Sequence, residues 1–159
     1  MTFEEWLNVK GEEERKITHG AEVVPYQTDN GLYKIEGVIL RVCFDDEHLS
    51  TFHNLYFIPE ALDKGQNGMY GYNRIMISKP YWKEHGIDDE TINTMFHECV
   101  HAWDAINGRK DTDGEYHNDV FRKSCEEHGG IALFSNRIDG YNNAMLTEET
   151  MKRIMEMIG

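Results

Sequence analysis

The sequence has little cysteine, little positive charge and no long apolar run, and each shortage excludes a class of protein. Its 159 residues include three cysteines that are far apart and form no CxxC pair. This excludes a disulfide framework and a zinc ribbon, and free thiols are typical of a reducing, cytoplasmic compartment. A chain of this length can bury one core without covalent staples, so we expect a single domain over residues 1–159.

Positive charge is scarce, since 16 Lys and Arg stand against 29 Asp and Glu and give a formal net charge of −13. Binding to a phosphate backbone requires clustered cations, so direct DNA binding is not expected. The first residues are acidic and lack the basic and apolar regions of a secretory signal peptide. No apolar run approaches the roughly 18 residues of a membrane span, and no membrane partner is expected.

The N-terminal part of the chain has the pattern of β-strands. Between Leu32 and Phe44, apolar residues occupy both alternating faces, which predicts a strand covered on both sides. Two further strands are predicted at 52–58 and 70–78. We therefore expect a β-rich part over 30–60 and a small sheet that includes 70–78.

The middle of the chain changes to a helical period. Asp88 is suited to cap a helix, and Gly108 is suited to follow its end. The apolar stripe between them comprises Ile92, Phe96, Cys99, Trp103 and Ile106. A second helix is predicted over 117–127, and Thr147 is suited to cap an amphipathic C-terminal helix over 147–158. The predicted fold class is α+β.

The central helix includes the motif His97-Glu98-Cys99-Val100-His101. Two histidines four residues apart lie one turn above each other, so both imidazoles can reach one zinc ion. Glu98 is rotated by about 100° from His97, where it can hold a metal-bound water without being a ligand. The pattern predicts a zinc site with Glu98 as the general base.

A catalytic zinc site needs a third protein ligand and an open position for water. His117 is the first candidate, because it lies sixteen residues beyond His101 after a loop long enough to reverse the chain. Glu115 is the alternative, since Glu115 and Asp119 match a pattern in which a ligand glutamate is followed one turn later by a supporting aspartate. His128 is a weaker candidate.

Further residues have candidate roles around the metal. Asp104 shares a helix face with both motif histidines, so either it accepts a ring N–H from one of them or it is a solvated residue near the helix end. Cys99 and Trp103 are expected in the core rather than at the metal. An electrophile beside the zinc is also needed, and the candidates are Tyr72, Arg74, Tyr116 and Tyr141. The strand over 70–78 could offer its edge to an extended substrate.

Three stretches of the chain, taken together, match a known domain. They are Gly71-Tyr72-Asn73-Arg74-Ile75-Met76-Ile77-Ser78, then Thr91-Ile92-Asn93-Thr94-Met95-Phe96-His97-Glu98-Cys99-Val100-His101-Ala102-Trp103, then His117-Asn118-Asp119-Val120-Phe121. Over about residues 68–128 the chain resembles the SprT/Spartan-like zinc metalloprotease domain, in which a strand, an HExxH helix and a His-x-x-x-Phe segment follow in that order. The resemblance implies a zincin-like fold, with a small sheet packed on the HExxH helix.

The resemblance also implies a function. It assigns zinc ligation to His97, His101 and His117, general-base action to Glu98, and hydrolysis of peptide bonds in a protein or peptide substrate. Many members of that family have a Cys-rich zinc ribbon after the protease domain, and this sequence contains none. The alternative hypothesis is an acidic, non-enzymatic interaction protein, a nucleic-acid mimic or adaptor, with a structural or vestigial zinc site.

Overall fold

The computed structural model of the chain describes residues 30–44, 57–60, 68–71, 74–78 and 88–159. Within them the helices are α1 (Asn30–Cys43), α2 (Asp89–Ile106), α3 (Asp119–Glu127) and α4 (Glu148–Ile158). The strands are β1 (Phe57–Glu60), β2 (Gly68–Gly71), β3 (Arg74–Ser78), β4 (Thr112–Asp113), β5 (Tyr116–His117), β6 (Gly130–Leu133) and β7 (Asn143–Leu146). The architecture is mixed α+β, as predicted. None of these helices combines the length and the apolar character needed to cross a membrane.

Helix α1 occupies the segment for which the sequence pattern predicts a strand, so that prediction is wrong. Ile35, Val38 and Ile39 are buried, and their spacing of i, i+3 and i+4 places them on one helical face. Because apolar residues fill both alternating faces here, the same segment fits either period. Residues 30–60, which the sequence pattern predicts to be β-rich, therefore contain helix α1 and, among the other described residues, strand β1.

Strands β1, β3 and β2 form one sheet, in that order, which lies against α2. The pairing of β1 with β3 is parallel and that of β2 with β3 is antiparallel. The segment 70–78, predicted as one strand, therefore contains the end of one strand and the whole of the next. Because β3 is paired on both sides, it has no free edge for an extended substrate, contrary to the sequence-based expectation.

Helix α2 confirms the prediction from caps and periodicity. The Asp88 carboxylate accepts a hydrogen bond from the Thr91 N–H at 2.8 Å and caps the first turn. The buried residues of the predicted stripe are Ile92, Phe96 and Cys99. Ile106, the last residue of the stripe, is 41% exposed, so the core contact ends before the helix does.

The segment after α2 brings His117 back toward that helix. Strands β4 and β5 form a two-residue hairpin, and His117 is the last residue of β5. The predicted second helix starts later than expected, at Asp119, because the Asn118 side chain accepts hydrogen bonds from the first N–H groups of α3. His117 is consequently a strand residue and not a helical one.

The C-terminal part adds a hairpin and a helix. Strands β6 and β7 pair antiparallel, from Gly130 opposite Leu146 to Leu133 opposite Asn143, and the sequence pattern does not predict them. Helix α4 is confirmed, and Thr147 caps it by accepting a hydrogen bond from a first-turn N–H. All four helices contribute to one buried core. The face of α2 that bears His97 and His101 is left outside this core.

Candidate metal centre

Three histidines lie close enough together to bind one metal ion. His97 and His101 come from α2, and His117 comes from β5. The Nε2 atom of His101 lies 3.0 Å from that of His97 and 3.1 Å from that of His117. All three nitrogens lie within 4.8 Å of one another, which one ion with bonds of about 2.0–2.1 Å can span with small adjustments.

The other two candidate ligands lie elsewhere. Among the described residues the group that could hold a metal does not include Glu115, whose side chain is exposed in the turn between β4 and β5. His128 is the C-cap of α3. Its ring lies against Phe44, with centroids 4.2 Å apart, and its Nδ1 atom is 3.0 Å from the Cys43 carbonyl oxygen.

The His101 ring is oriented by a side-chain carboxylate. Its Nδ1 atom donates to Asp111 Oδ2 at 2.8 Å, which leaves Nε2 free to point at a metal. The sequence pattern suggests Asp104 for this task. Asp104 is instead fully buried toward α3, where it accepts a hydrogen bond from Ser124 Oγ at 2.6 Å. The chain reversal after α2, and not the helix face, therefore supplies the carboxylate.

Main-chain carbonyls orient the other two rings. The Nδ1 atom of His117 lies 3.0 Å from the Asp139 carbonyl oxygen and 3.1 Å from that of Glu115. The main chain of Asn142 forms a hydrogen bond with the His97 ring. Each histidine thus has a hydrogen-bond partner outside the cluster, which fixes the ring that presents Nε2.

Burial keeps the motif histidines neutral. Desolvation, followed by the neighbouring rings of His101 and His117, holds the pKa of His97 well below its usual range. Desolvation and the nearby His117 ring lower the pKa of His101 to about 3. Neutral imidazole is the form that binds metals, so these rings need not lose a proton before binding at neutral pH.

Glu98 lies beside the histidines without joining their cluster. It is 7% exposed, and its Oε1 atom is 3.9 Å from His97 Nε2. Burial, with a smaller contribution from the charge of Asp111, raises the pKa of the Glu98 carboxyl to about 8. A carboxyl with a pKa near the working pH is suited to accept and return a proton.

Asp104 and Asp111 form a second acidic feature next to the site. Desolvation raises the pKa of Asp104 to about 7, and the hydrogen bond from Ser124 opposes that rise. Desolvation also raises the pKa of Asp111. Arg109 lies 3.9 Å from Asp104 and 3.1 Å from Glu127, so this cation is placed to offset the charges of these two carboxylates.

Phe121 of α3 closes one side of the cluster. Its ring centroid lies 4.8 Å from that of His97, 4.6 Å from that of His101 and 4.9 Å from that of His117. On the other side, a groove of about 1150 Å³ lies between α2, the β4–β5 hairpin and β7. A bound ion would therefore be reached from the groove alone in the described part of the chain.

Two of the four predicted electrophiles, Tyr116 and Tyr141, lie away from the groove. Tyr72 lies outside the described residues, and Arg74 is described only as the first residue of β3. Tyr116 packs its ring against Gly140, and Tyr141 packs against Phe134 with ring centroids 5.5 Å apart. Neither tyrosine is among the described residues that line the groove.

Comparison with known proteins gives no match from which a function could be transferred. No protein-family model matches the chain, and neither a curated protein nor a solved structure is similar to it. The function is therefore argued from the chemistry of the site.

Proposed function

We propose that the chain is a zinc metallopeptidase of SprT-like, zincin-like type that hydrolyses peptide bonds in a protein or peptide substrate. The observation that carries the proposal is the convergence of three Nε2 atoms, from His97, His101 and His117, beside an open groove. Three imidazoles with one open position are a donor set of catalytic zinc. The HExxH sequence on α2 supports the same assignment.

The three histidines would hold the ion, and Glu98 would move the proton. When bound, zinc supplies a Lewis acid that lowers the pKa of its water toward 7 and polarises the substrate carbonyl. Glu98 accepts a proton from the attacking water on a carboxylate oxygen and then donates it to the leaving amine. The Glu98 carboxyl, whose pKa burial raises to about 8, would be shifted toward its basic form by the charge of an ion held by the three histidines.

The groove is suited to an extended peptide. It runs past the histidines between α2 and strand β7, whose residues Asn143, Ala144 and Met145 line it. Because β3 lies inside its sheet, β7 replaces it as the strand beside the substrate. The net charge of −13 disfavours direct contact with DNA, so the proposed substrate is a protein or peptide rather than a nucleic acid.

Substitution of Glu98 by Gln tests the mechanism. We expect Glu98→Gln to keep one zinc per chain by mass spectrometry and to lose peptide-bond hydrolysis of an unstructured, fluorescently labelled protein by at least ~10²-fold. Glu115→Gln is the matched control, because it removes an exposed glutamate that lines the same groove. Cleavage by Glu98→Gln at the wild-type rate would show that the mechanism is wrong.

The alternative function is an acidic, non-enzymatic interaction protein, and the observation that favours it is the net charge of −13. A zinc site with a purely structural role has four protein ligands. The described residues supply three ligands beside a groove, which supports the hydrolase. Stoichiometric zinc in a wild-type protein that cleaves no labelled substrate would favour the alternative.

A further inference from the structure

The turn between β6 and β7 makes close main-chain contact with the strand that bears His117. The Asp139 carbonyl oxygen accepts two hydrogen bonds from His117, one from the main-chain N–H at 2.9 Å and one from ring Nδ1 at 3.0 Å. In return the Tyr141 N–H donates to the His117 carbonyl oxygen at 3.0 Å. The ring and the main chain of one histidine are thus fixed against a single turn.

The same turn reaches a second histidine. The main chain of Asn142 forms a hydrogen bond with the ring of His97 on α2. Two of the three candidate ligands, which come from different elements, are therefore oriented by main-chain groups three residues apart. The remaining one, His101, is oriented by Asp111.

Gly140 permits this close approach. Its φ of +64° lies in the left-handed region, and a Cβ atom placed on it would press on the His117 carbonyl oxygen and lie 2.9 Å from the Tyr116 ring. A larger residue would therefore push the turn away from β5. Gly108 has a similar φ of +69° but no atom within 4 Å of the corresponding Cβ position. Alanine at Gly108 therefore introduces backbone strain alone, whereas alanine at Gly140 introduces backbone strain and a steric clash.

The turn is held by its own hydrogen bonds. The Asn136 side-chain oxygen accepts from the Ile138 N–H at 2.8 Å and from the Asp139 N–H at 2.7 Å. The Gly140 N–H donates to the Asn136 carbonyl oxygen at 2.9 Å. The carbonyl groups that face the histidines are therefore placed before any metal binds.

We infer that the Asp139–Asn142 turn is a positioning element of the metal centre, whose main-chain carbonyls set the ring orientation of His117 and His97 toward the ion. The inference rests on the proposed zinc site and adds to it a segment with no metal ligand of its own. Partners of ligand histidines typically contribute 10–100-fold to metal affinity, a range of about one to two decades.

A pair of glycine substitutions tests the inference. We expect Gly140→Ala to weaken zinc binding by about 10–100-fold in competition with a chromophoric chelator, and to alter the visible spectrum of the cobalt-substituted protein. Gly108→Ala should bind zinc within about threefold of wild type. Thermal unfolding of the metal-free variants reports folding separately. Wild-type affinity and an unchanged cobalt spectrum in a folded Gly140→Ala protein would overturn the inference.

A measurement on the unmodified chain covers the case in which Gly140→Ala does not fold. In metal-free wild type, long-range ¹H–¹⁵N NMR should show His117 protonated on Nδ1, because that nitrogen faces the Asp139 carbonyl oxygen at 3.0 Å. Protonation of His117 on Nε2 would overturn the inference. Failure of wild type to bind zinc would refute the metal site and the inference with it, whereas zinc binding with Nδ1 protonation but no hydrolysis would refute the peptidase alone.

Discussion

Two regions of the molecule support the three histidines, and they do so by different chemistry. The segment that follows α2 supplies the Asp111 carboxylate to His101 and the Glu115 carbonyl to His117, whereas the Asp139–Asn142 turn supplies main-chain groups alone, to His117 and His97. A side-chain partner can be removed by one substitution. A main-chain partner persists whatever side chain is present, as long as the backbone keeps its course. Replacing the Asp111 side chain should therefore weaken metal binding, whereas replacing the Asp139 side chain should leave it nearly unchanged.

The largest effect should come from removing a ligand. His117→Ala leaves two imidazoles, and we expect loss of stoichiometric zinc as measured by mass spectrometry of the purified protein. His128→Ala is the control, because His128 contacts Phe44 and Cys43 away from the cluster and should leave one zinc per chain. Full zinc content in His117→Ala would show that His117 is not a ligand, and the two regions would then not support a common metal site.

Removal of the side-chain partner should have the next largest effect. Asp111→Asn replaces the carboxylate that accepts from His101 Nδ1 at 2.8 Å, and we expect zinc affinity to fall by about 10–100-fold. Asp113→Asn is the matched control, since this side chain is 62% exposed and pairs with Lys110 at 3.8 Å. Equal affinities of the two variants in chelator competition would show that Asp111 does not support His101.

The pH dependence of stability should reveal the raised pKa of the Glu98 carboxyl, to which burial and then the charge of Asp111 contribute. Its pKa is raised from 4.5 to about 8 in the folded chain, so its contribution to stability is present below pH 4.5 and is lost as the pH rises through 8. The Glu98→Gln variant has no carboxyl that ionises at this position, so its stability does not fall for this reason as the pH rises. We expect the metal-free variant to melt above wild type at about pH 8.5, by several degrees, and close to it at about pH 4.5.

The thermal comparison uses differential scanning calorimetry of both metal-free proteins in the same buffers. The difference between them removes the contributions of the buried histidines, which act in the opposite direction as the pH falls. A difference in melting temperature that does not grow between the two pH values would contradict the raised pKa.

The smallest effect should come from Asp139. Asp139→Ala removes a carboxylate that accepts from Asn136 Nδ2 at 3.0 Å, but it keeps the carbonyl that accepts from His117. We therefore expect zinc affinity within about twofold of wild type in the same chelator competition. A loss as large as that of Asp111→Asn would mean that both regions act through side chains.

The sequence predicts α2 well and α1 badly for a common physical reason. Helix α2 has a cap, Asp88, and an apolar stripe with polar residues between its members, so only one period fits. In α1 four of the six residues from Ile35 to Leu40 are apolar, the exceptions being Glu36 and Gly37, and all six are buried. Tertiary contacts, such as those with α4, then decide between helix and strand.

The sequence likewise predicts some parts of the candidate metal centre and not others. The three histidines are predicted because a helical spacing and a chain reversal bring them together, and the structure does so. Asp111 could have been found, since any carboxylate in the returning segment is a candidate partner for a ligand. The Asp139–Asn142 turn could not, because its contribution comes from main-chain carbonyls that every residue possesses. Strands β6 and β7, of four residues each, give too short a pattern to predict.

Phe121 has a consequence for the rate at which metal exchanges. Its ring lies within 4.9 Å of all three imidazole centroids, as a wall on one side of the cluster. Among the described residues, the groove is then the entrance that an ion and any chelator would share with a peptide bound as proposed. A peptide bound in the groove would slow metal loss even where it leaves metal affinity unchanged. The rate at which a chelator removes the metal should therefore fall as the peptide concentration rises.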